Sequence, residues 1–401
     1  MKYIIVLADG MSDYPIEELG HKTPLAYAKT PNLDFFAGSG EMGMVKTVPD
    51  SLAPGSDTAN LSVLGYDPLK YYSGRSPFEA ASIGIPLELS DVTFRCNFVT
   101  LSEDEPYEEK IILDHSADEI STEEADQLIA TVNEHFKTEQ MEFFTGFSYR
   151  HILVWHHAPS DYKLTPPHDI LTRKIGEYLP TGKDSGILLT MMKNSYEFLK
   201  DHPVNLKRRE RGLKPANSIW FWGEGRKPDL SSFEEKYGLK ASVVSAVDLI
   251  KGLGVCAGMR TVEVEGATGN VHTNYLGKAN AALQELAGGQ DFVYVHIEAP
   301  DECGHRAELE NKVLSIELID KEVIGTILEG LKGQDFRIMV LPDHSTPLSV
   351  RTHTQDPVPF VIYDSTKSKK GQAVFNEQSA SQTGLFVEKG YTLMDKFIFD
   401  R

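Results

Sequence analysis

Short apolar runs bounded by glycine, proline and polar residues recur along the chain: YIIVLA (3–8), SIWFW (218–222), SVVSAV (242–247), DFVYVHIEA (291–299), FRIMVLP (336–342) and PFVIYD (359–364). Runs this short and this uniformly apolar have the pattern of strands buried on both faces, as in a parallel sheet. Between them, segments 185–201, 275–287 and 308–331 are amphipathic at helical spacing. The alternation predicts an α/β fold, with a central, mostly parallel sheet and helices on both of its faces. From about residue 91 to 178 the texture changes. DVTFRCNFVTL, KIILDHS, MEFFTGF and YRHILVWHH surround an acidic loop and a helix opened by the capping box Ser121-Thr-Glu-Glu124. This predicts a smaller α+β domain, residues 91–178, inserted into a larger one made of 1–90 and 179–401.

Charge narrows the partners. With 59 acidic against 40 basic residues the formal net charge is −19, which argues against nucleic acid or an anionic membrane as the main partner. An anionic small molecule remains compatible if metal ions supply local positive charge. Cys96, Cys256 and Cys303 form no CxxC pair, as expected of a reducing, cytoplasmic compartment. No uninterrupted apolar run nears the roughly 18 residues of a membrane span, and the opening KYIIVLADG is too short for a signal peptide.

Candidate chemistry collects at the ends of the apolar runs. YIIVLADG delivers Asp9; VYVHIEAPDECGH delivers Asp301 and, four residues on, His305; IMVLPDHSTP delivers Asp343 and His344; and RTHTQDPVPF places His353 before another run. In open α/β sheets ligands collect beyond the carboxyl ends of the strands, so these groups are candidates to converge. Three aspartates and three histidines form a ligand set for two divalent metals, and oxygen and imidazole donors without thiolate suit manganese, magnesium or zinc. Cys303 lies within this motif but is read as packing. No GxxxxGK[ST] loop is present, and no GxGxxG opens a helix after the first apolar run.

One serine stands out in APGSDTAN (53–60). Pro54 and Gly55 punctuate the chain, and SDTANLSVLG reads as the start of a helix with Ser56 near its N-cap. A capping serine is one reading. The other is a nucleophile whose phosphorylated form lies against the helix N-terminus, where free N–H groups favour anions; a neighbouring metal would activate its hydroxyl.

Beyond these fragments, ADGMSDYP, KTPLAYAKTPNLD, PGSDTANLSVLGYDP, YYSGRSPFEAAS, FRCNFVT, GATGNVHTNY, HIEAPDECGH and LPDHSTP with RTHTQDPVPF resemble the archaeal-type cofactor-independent phosphoglycerate mutases of the alkaline phosphatase superfamily, over nearly the whole chain. The resemblance implies one metal, manganese first, held by Asp301, His305 and His353, and a second held by Asp9, Ser56, Asp343 and His344. It implies that Ser56 takes the phosphoryl group from 3-phosphoglycerate and returns it to the 2-hydroxyl, in a cleft closed by the inserted, lid-like domain. A substrate with phosphate and carboxylate calls for forked cationic donors. Arg75, Arg95 and Arg150 are the candidates, with Asn97, His151, His168 and Asp169 beside them and Lys278 as a further cation near the phosphate; KRRERGLK (207–214) is expected to be a surface segment. His272 and Ser345 depart from the usual residues without removing a ligand. A bacterial branch of the family resembles this chain in DHPVNLKRRERGLKPANSIWFWGEG and SAVDLIKGLG and has been proposed to act as a homoserine kinase; a phosphomonoester hydrolase is the other alternative on the same machinery.

Overall fold

Among the described residues, thirteen strands run in chain order as β1 (Lys2–Ala8), β2 (Glu41–Val45), β3 (Asp91–Leu101), β4 (Ile112–Asp114), β5 (Met141–Thr145), β6 (Arg150–His156), β7 (Ser218–Arg226), β8 (Ala241–Val244), β9 (Arg260–Val262), β10 (Phe292–Ile297), β11 (Phe336–Leu341), β12 (Val358–Asp364) and β13 (Phe386–Val387). The computed structural model describes residues 1–159, 161–367 and 371–400. Its chain divides into two units, Met1–Tyr72 with Asp229–Arg401, and Ser73–Pro228.

The first unit is built on an eight-stranded sheet of order β13-β2-β12-β11-β1-β10-β8-β9. Strand β1 lies between two parallel neighbours, with Ala8 opposite Ile297 of β10 and Leu7 opposite Leu341 of β11. Its side chains are buried on both faces. Ile4, Val6 and Ala8 pack with Leu33, Phe36, Ala279, Ile316 and Val323 in one cluster, and the alternate residues Ile5 and Leu7 are equally inaccessible on the other face. Each large apolar side chain so buried stabilises the fold by about 1.5–3 kcal/mol, which explains why the run carries no polar residue. Strand β12 differs from expectation: it runs antiparallel to both β11 and β2. Its apolar run reports burial on both faces, and burial does not encode direction.

The helix expected over 308–331 has three parts, Leu309–Leu318, a wide π turn at Ile319–Ile324, and Gly325–Gly330. The π turn presents the buried Asp320 to the helix Pro31–Ser39, whose N-cap residue Thr30 supplies no side-chain bond. Asp320 Oδ1 accepts the Leu33 N–H at 2.8 Å and Oδ2 the Asn32 N–H at 3.3 Å. It thereby satisfies donors that the helix start would leave unpaired.

The second unit carries an antiparallel sheet of order β4-β3-β6-β5, with β7 also paired to β3. Two expectations are corrected here. SIWFW (218–222) is no parallel strand of the main sheet: as part of β7 it pairs antiparallel with β3, from Val92 opposite Arg226 to Val99 opposite Ser218. The inserted unit therefore extends beyond 91–178 to Ser73–Pro228. Ile219, Trp220 and Phe221 share one apolar cluster with Leu128 and Val132 of the helix Thr122–Phe136 and with Leu188 and Met192 of the helix Gly186–Leu199. Nor is KRRERGLK all surface. Arg208 is 2% exposed, donates from Nε to the Lys214 carbonyl at 2.9 Å, and pairs with Glu124 and the Ala117 carbonyl. Those bonds hold a turn in which Ala117, Asp118 and Glu119 have φ of 50°, 52° and 50°, a left-handed run that costs about 1–2 kcal/mol per residue.

Candidate active site

The register of β10, β1 and β11 brings the three aspartate-bearing strand ends side by side. Asp9 follows β1 directly, Asp343 follows β11 by two residues, and Asp301 lies in the first turn of the helix Ala299–Arg306 that follows β10. Gly10 makes the close approach possible. Its φ is +60°, and a Cβ there would lie 2.5 Å from Thr346 Oγ1 and 2.7 Å from Asp301, so both conformation and space exclude a side chain.

All seven residues expected to carry the metal chemistry gather in the first unit. His305 Nε2 lies 3.2 Å from Asp301 Oδ2, His353 Nε2 lies 3.4 Å from Asp301 Oδ1, and the two imidazole nitrogens are 3.0 Å apart. A second group joins Asp9, Asp301 and His344, whose ligand atoms lie within 4.8 Å of one another. Asp301 thus touches both groups, whereas the family likeness implies it for one metal alone. Asp343 Oδ2 stands 3.4 Å from His344 Nε2.

The electrostatics of the cluster favour a bound cation. Burial raises the Asp9 carboxyl well above its ordinary value, and the nearby Asp343 and Asp301 carboxylates raise it further. Burial opposes ionisation of Asp301 too, but hydrogen bonds from His305 and His353 outweigh it and hold this carboxyl well below the usual range. The Asp301 bond lifts His305 to about 9. His305 Nδ1 faces the Arg351 carbonyl at 3.0 Å and must donate to it. A neutral His305 then turns its bare Nε2 toward Asp301, an arrangement that a divalent ion would reconcile by taking the proton's place.

Ser56 is not the cap. Gly55 occupies the N-cap of the helix Ser56–Val63, and Ser56 is its first residue. Its Oγ lies 3.2 Å from His344 Nε2 and 3.5 Å from Asp9 Oδ2. One turn later, the fully buried Asn60 donates Nδ2 to the Ser56 carbonyl at 2.8 Å and to Asp343 Oδ2 at 2.9 Å, while its Oδ1 accepts from the Tyr294 hydroxyl. The helix that presents the hydroxyl and the aspartate at the end of β11 are thereby tied together.

Sequence reasoning missed Asn60, Tyr294, Thr346 and His296. Thr346 bonds Asp301 and lies 3.2 Å from His344 Nδ1. The signal for His296 and Tyr294 was a polar atom inside a run that otherwise reads as core. Lys278 is 1% exposed and donates to the His296 carbonyl at 3.2 Å; burial pushes its ammonium down to about 8.

Apart from Lys278, the residues expected to recognise substrate belong to the second unit, where Trp222 organises several of them. The Arg95 guanidinium stacks 4.0 Å from the Trp222 ring centre, and the His168 ring meets its edge at 5.1 Å. Trp222 Nε1 donates to Asn97 Oδ1 at 3.0 Å. Glu79 pairs with Arg75 at 2.9 Å and with Arg95 at 2.8 Å. Burial, opposed by Glu79 and reinforced by Arg75 and Arg150, pushes Arg95 down to about 10. Arg150 is exposed and lies over Tyr149, which also meets the His115 ring edge-on. His168 has Asp169 at 3.7 Å, and burial lowers its pKa.

Two of the residues expected to contact substrate are almost wholly buried. Asn97 and His151 are each 1% exposed. Asn97 is spent on Trp222, and His151 packs against Phe98 with Nδ1 accepting the Gly146 N–H at 3.3 Å. Alternation along β3 sets Asn97 on the face of Arg95, opposite Arg150 and away from Phe94, Cys96 and Phe98, whereas His151 lies on the apolar side with Leu153 and Trp155, its buried Nε2 without a hydrogen-bond partner. Trp222 and His115 were not among the expected residues.

Comparison with known proteins gives a consistent outcome. A profile of the family described as 2,3-bisphosphoglycerate-independent phosphoglycerate mutase matches residues 37–205. The chain is 47% identical over 401 residues to a probable 2,3-bisphosphoglycerate-independent phosphoglycerate mutase of Geobacter sulfurreducens, covering 99% of this chain and 100% of the relative. It is 48% identical over 398 residues to such a mutase of Methanosarcina mazei, covering 98% of each. Among solved structures, a protein from Pyrococcus horikoshii superposes with a TM-score of 0.83 at 32% identity, covering 99% of this chain and 96% of that one. The cofactor-independent phosphoglycerate mutase of Thermoplasma acidophilum superposes with a TM-score of 0.68 at 26% identity, covering 100% and 99%.

Proposed function

Since the chain belongs to the family of 2,3-bisphosphoglycerate-independent phosphoglycerate mutases, we propose that it interconverts 3-phosphoglycerate and 2-phosphoglycerate, with Ser56 carrying the phosphoryl group between the two hydroxyls. The observation that carries this reading is the hydroxyl of Ser56 set at a helix start, 3.2 Å from His344 Nε2, beside three convergent aspartates. Ser56 Oγ attacks phosphorus as the bond from phosphorus to the 3-oxygen breaks, giving phosphoserine and glycerate. The 2-hydroxyl of the reoriented glycerate then attacks the same phosphorus, and Oγ leaves with its proton restored. No external phosphoryl donor enters. The phosphoserine lies against the N-terminus of its helix, where unpaired N–H groups favour an anion.

The donor set fits two divalent ions, and the buried Asp9 Oδ1, without a hydrogen-bond partner, supports that fit. Asp301, His305 and His353 would hold one ion; Asp9, Ser56, Asp343 and His344 would hold the other. Such ions, Mn²⁺ first and Mg²⁺ or Zn²⁺ as alternatives, lower the pKa of a serine hydroxyl and stabilise charge on the transferring phosphoryl group. Lys278 touches no group of the phosphoryl site by hydrogen bond except through the His296 carbonyl, so its part is to support that backbone.

The second unit contributes recognition of the anionic substrate through Arg75, Arg95, Arg150 and His168. Their concentration of like charge around Trp222, opposed by Glu79 and Asp169, supports a binding role for carboxylate or phosphate. The three free thiols fit a cytoplasmic, glycolytic enzyme, and no described helix is long and apolar enough to cross a membrane.

The test is turnover of 3-phosphoglycerate coupled to enolase, with Mn²⁺ added. Robust turnover that is absent in Ser56→Ala supports the reading. Phosphate release from monoesters without mutase turnover would replace it by a hydrolase, and ATP consumption that requires homoserine would replace it by a kinase.

A further inference from the structure

We propose that His296 is a positioning residue that makes Asp9 a one-oxygen ligand aimed at its metal; this deepens the reading above and rests on it. His296 lies on β10 beside the end of β1 and is fully buried. Its Nε2 stands 3.0 Å from Asp9 Oδ2, and its Nδ1 stands 3.2 Å from Ser245 Oγ. A carboxylate oxygen only accepts, so Nε2 carries the hydrogen and Nδ1 of the neutral ring accepts from the Ser245 hydroxyl. Ser245 is itself held, its Oγ accepting the Val247 N–H at 3.0 Å. The chain of donors thus runs in one direction, from the backbone after β8 through Ser245 and His296 to Asp9.

The consequence falls on the two oxygens of Asp9. Oδ2 is engaged by His296, with Ser56 Oγ at 3.5 Å. Oδ1 has no hydrogen-bond partner although it is buried, and it faces His344 Nε2 at 3.6 Å. An orphaned buried carboxylate oxygen is costly unless a cation completes it. His296 fixes which oxygen that is and prevents the carboxylate from rotating to offer both. The Lys278 ammonium, bonded to the His296 carbonyl at 3.2 Å, braces the same residue from its backbone.

The experiment measures Mn²⁺ binding alone, by titration calorimetry and by the electron paramagnetic resonance signal of the ion, on metal-free full-length protein. His296→Phe keeps the ring volume and removes both bonds. It is expected to weaken one of two Mn²⁺ sites by about 10–100-fold, the usual effect of deleting a partner behind a ligand, and to leave the other unchanged. His296→Gln, which restores an N–H near Nε2, is expected to recover most of that loss; a purely packing role would not be rescued this way. If His296→Phe does not fold, Ser245→Ala, which leaves the imidazole in place, should weaken the same site in the same direction by a smaller factor. Wild-type affinity at both sites in the folded His296 or Ser245 variants, while Asp9→Asn loses one site, would overturn the positioning role alone. Wild-type affinity in Asp9→Asn as well would remove the metal reading of Asp9, and the inference with it.

Discussion

Where the first unit gathers three carboxylates, Asp9, Asp301 and Asp343, beyond adjacent parallel strands, the second carries three arginines, Arg95 and Arg150 on the antiparallel strands β3 and β6 and Arg75 at the start of the helix Ser76–Ser82. The carboxylates are almost wholly inaccessible, at 1%, 6% and 0% exposure, and each is braced from behind: Asp9 by His296, Asp343 by Asn60, Asp301 by Thr346. The arginines are treated differently. Arg95 is stacked on Trp222, but Arg75 and Arg150 keep much of their solvent. Carboxylates that share a dry site must be held against mutual repulsion, which a divalent cation would relieve. Arginines that meet a diffusing anion can stay partly hydrated until it arrives, which lowers the cost of keeping them charged.

The contrast makes the two regions fail in different ways. Ser56→Ala should lower turnover by at least about 10³-fold, since it deletes the nucleophile, while the number of Mn²⁺ ions bound changes little; a variant that keeps wild-type turnover would end the phosphoserine proposal. Arg208→Ala strikes the second unit's scaffold. It removes one of the two arginine partners of Glu124, Arg211 remaining, and releases the left-handed turn at 117–119, so urea unfolding should show a loss of about 1.5–3 kcal/mol in the transition assigned to that unit, with Mn²⁺ binding intact below it. Arg95→Lys should raise KM for 3-phosphoglycerate about 10–100-fold, the worth of a forked, charge-assisted contact of about 1.5–3 kcal/mol, and leave metal affinity alone. If metal affinity falls instead, the division of labour between the units is wrong.

The smallest effect concerns Lys278. Its pKa, pushed from 10.5 to about 8 by burial, means that between these values the unfolded chain binds more protons than the folded one. Stability from this residue therefore rises as pH climbs from about 8 toward 10.5. Lys278→Met should be more stable than the parent at pH 7, and the gap in melting temperature should narrow above pH 8. A gap independent of pH would mean the lysine is not held in its buried setting.

Much of the metal-type site was legible in the chain because each ligand sits at a strand end, and strand ends show in the apolar pattern. YIIVLA announces Asp9, FRIMVLP announces Asp343, and the four-residue step from Asp301 to His305 puts both on one helix face. The bracing residues were hidden for the same reason. His296 and Tyr294 lie inside the runs, where a polar side chain is indistinguishable from a tolerated core residue until its partner across the sheet is known. On the antiparallel side, Arg95, Asn97 and His151 read alike as groups with the right chemistry for an anion, and only the folded sheet shows that Asn97 and His151 are almost wholly buried and on opposite faces of β3 and β6.

Composition and periodicity were enough to determine that this chain builds an α/β sheet with an inserted α+β unit, and that oxygen and imidazole donors follow its strands. They act locally, through burial and turn chemistry, over a few residues at a time. Tertiary structure alone decided that β12 runs antiparallel, that β7 belongs with β3, that Gly55 and not Ser56 caps its helix, and that Asp301 stands within reach of both ligand groups. The strand pairings and the reach of Asp301 depend on which distant segment lies opposite, a contact between residues tens to hundreds of positions apart that no local pattern records, and the Gly55 cap depends on backbone angles that residue types alone leave open.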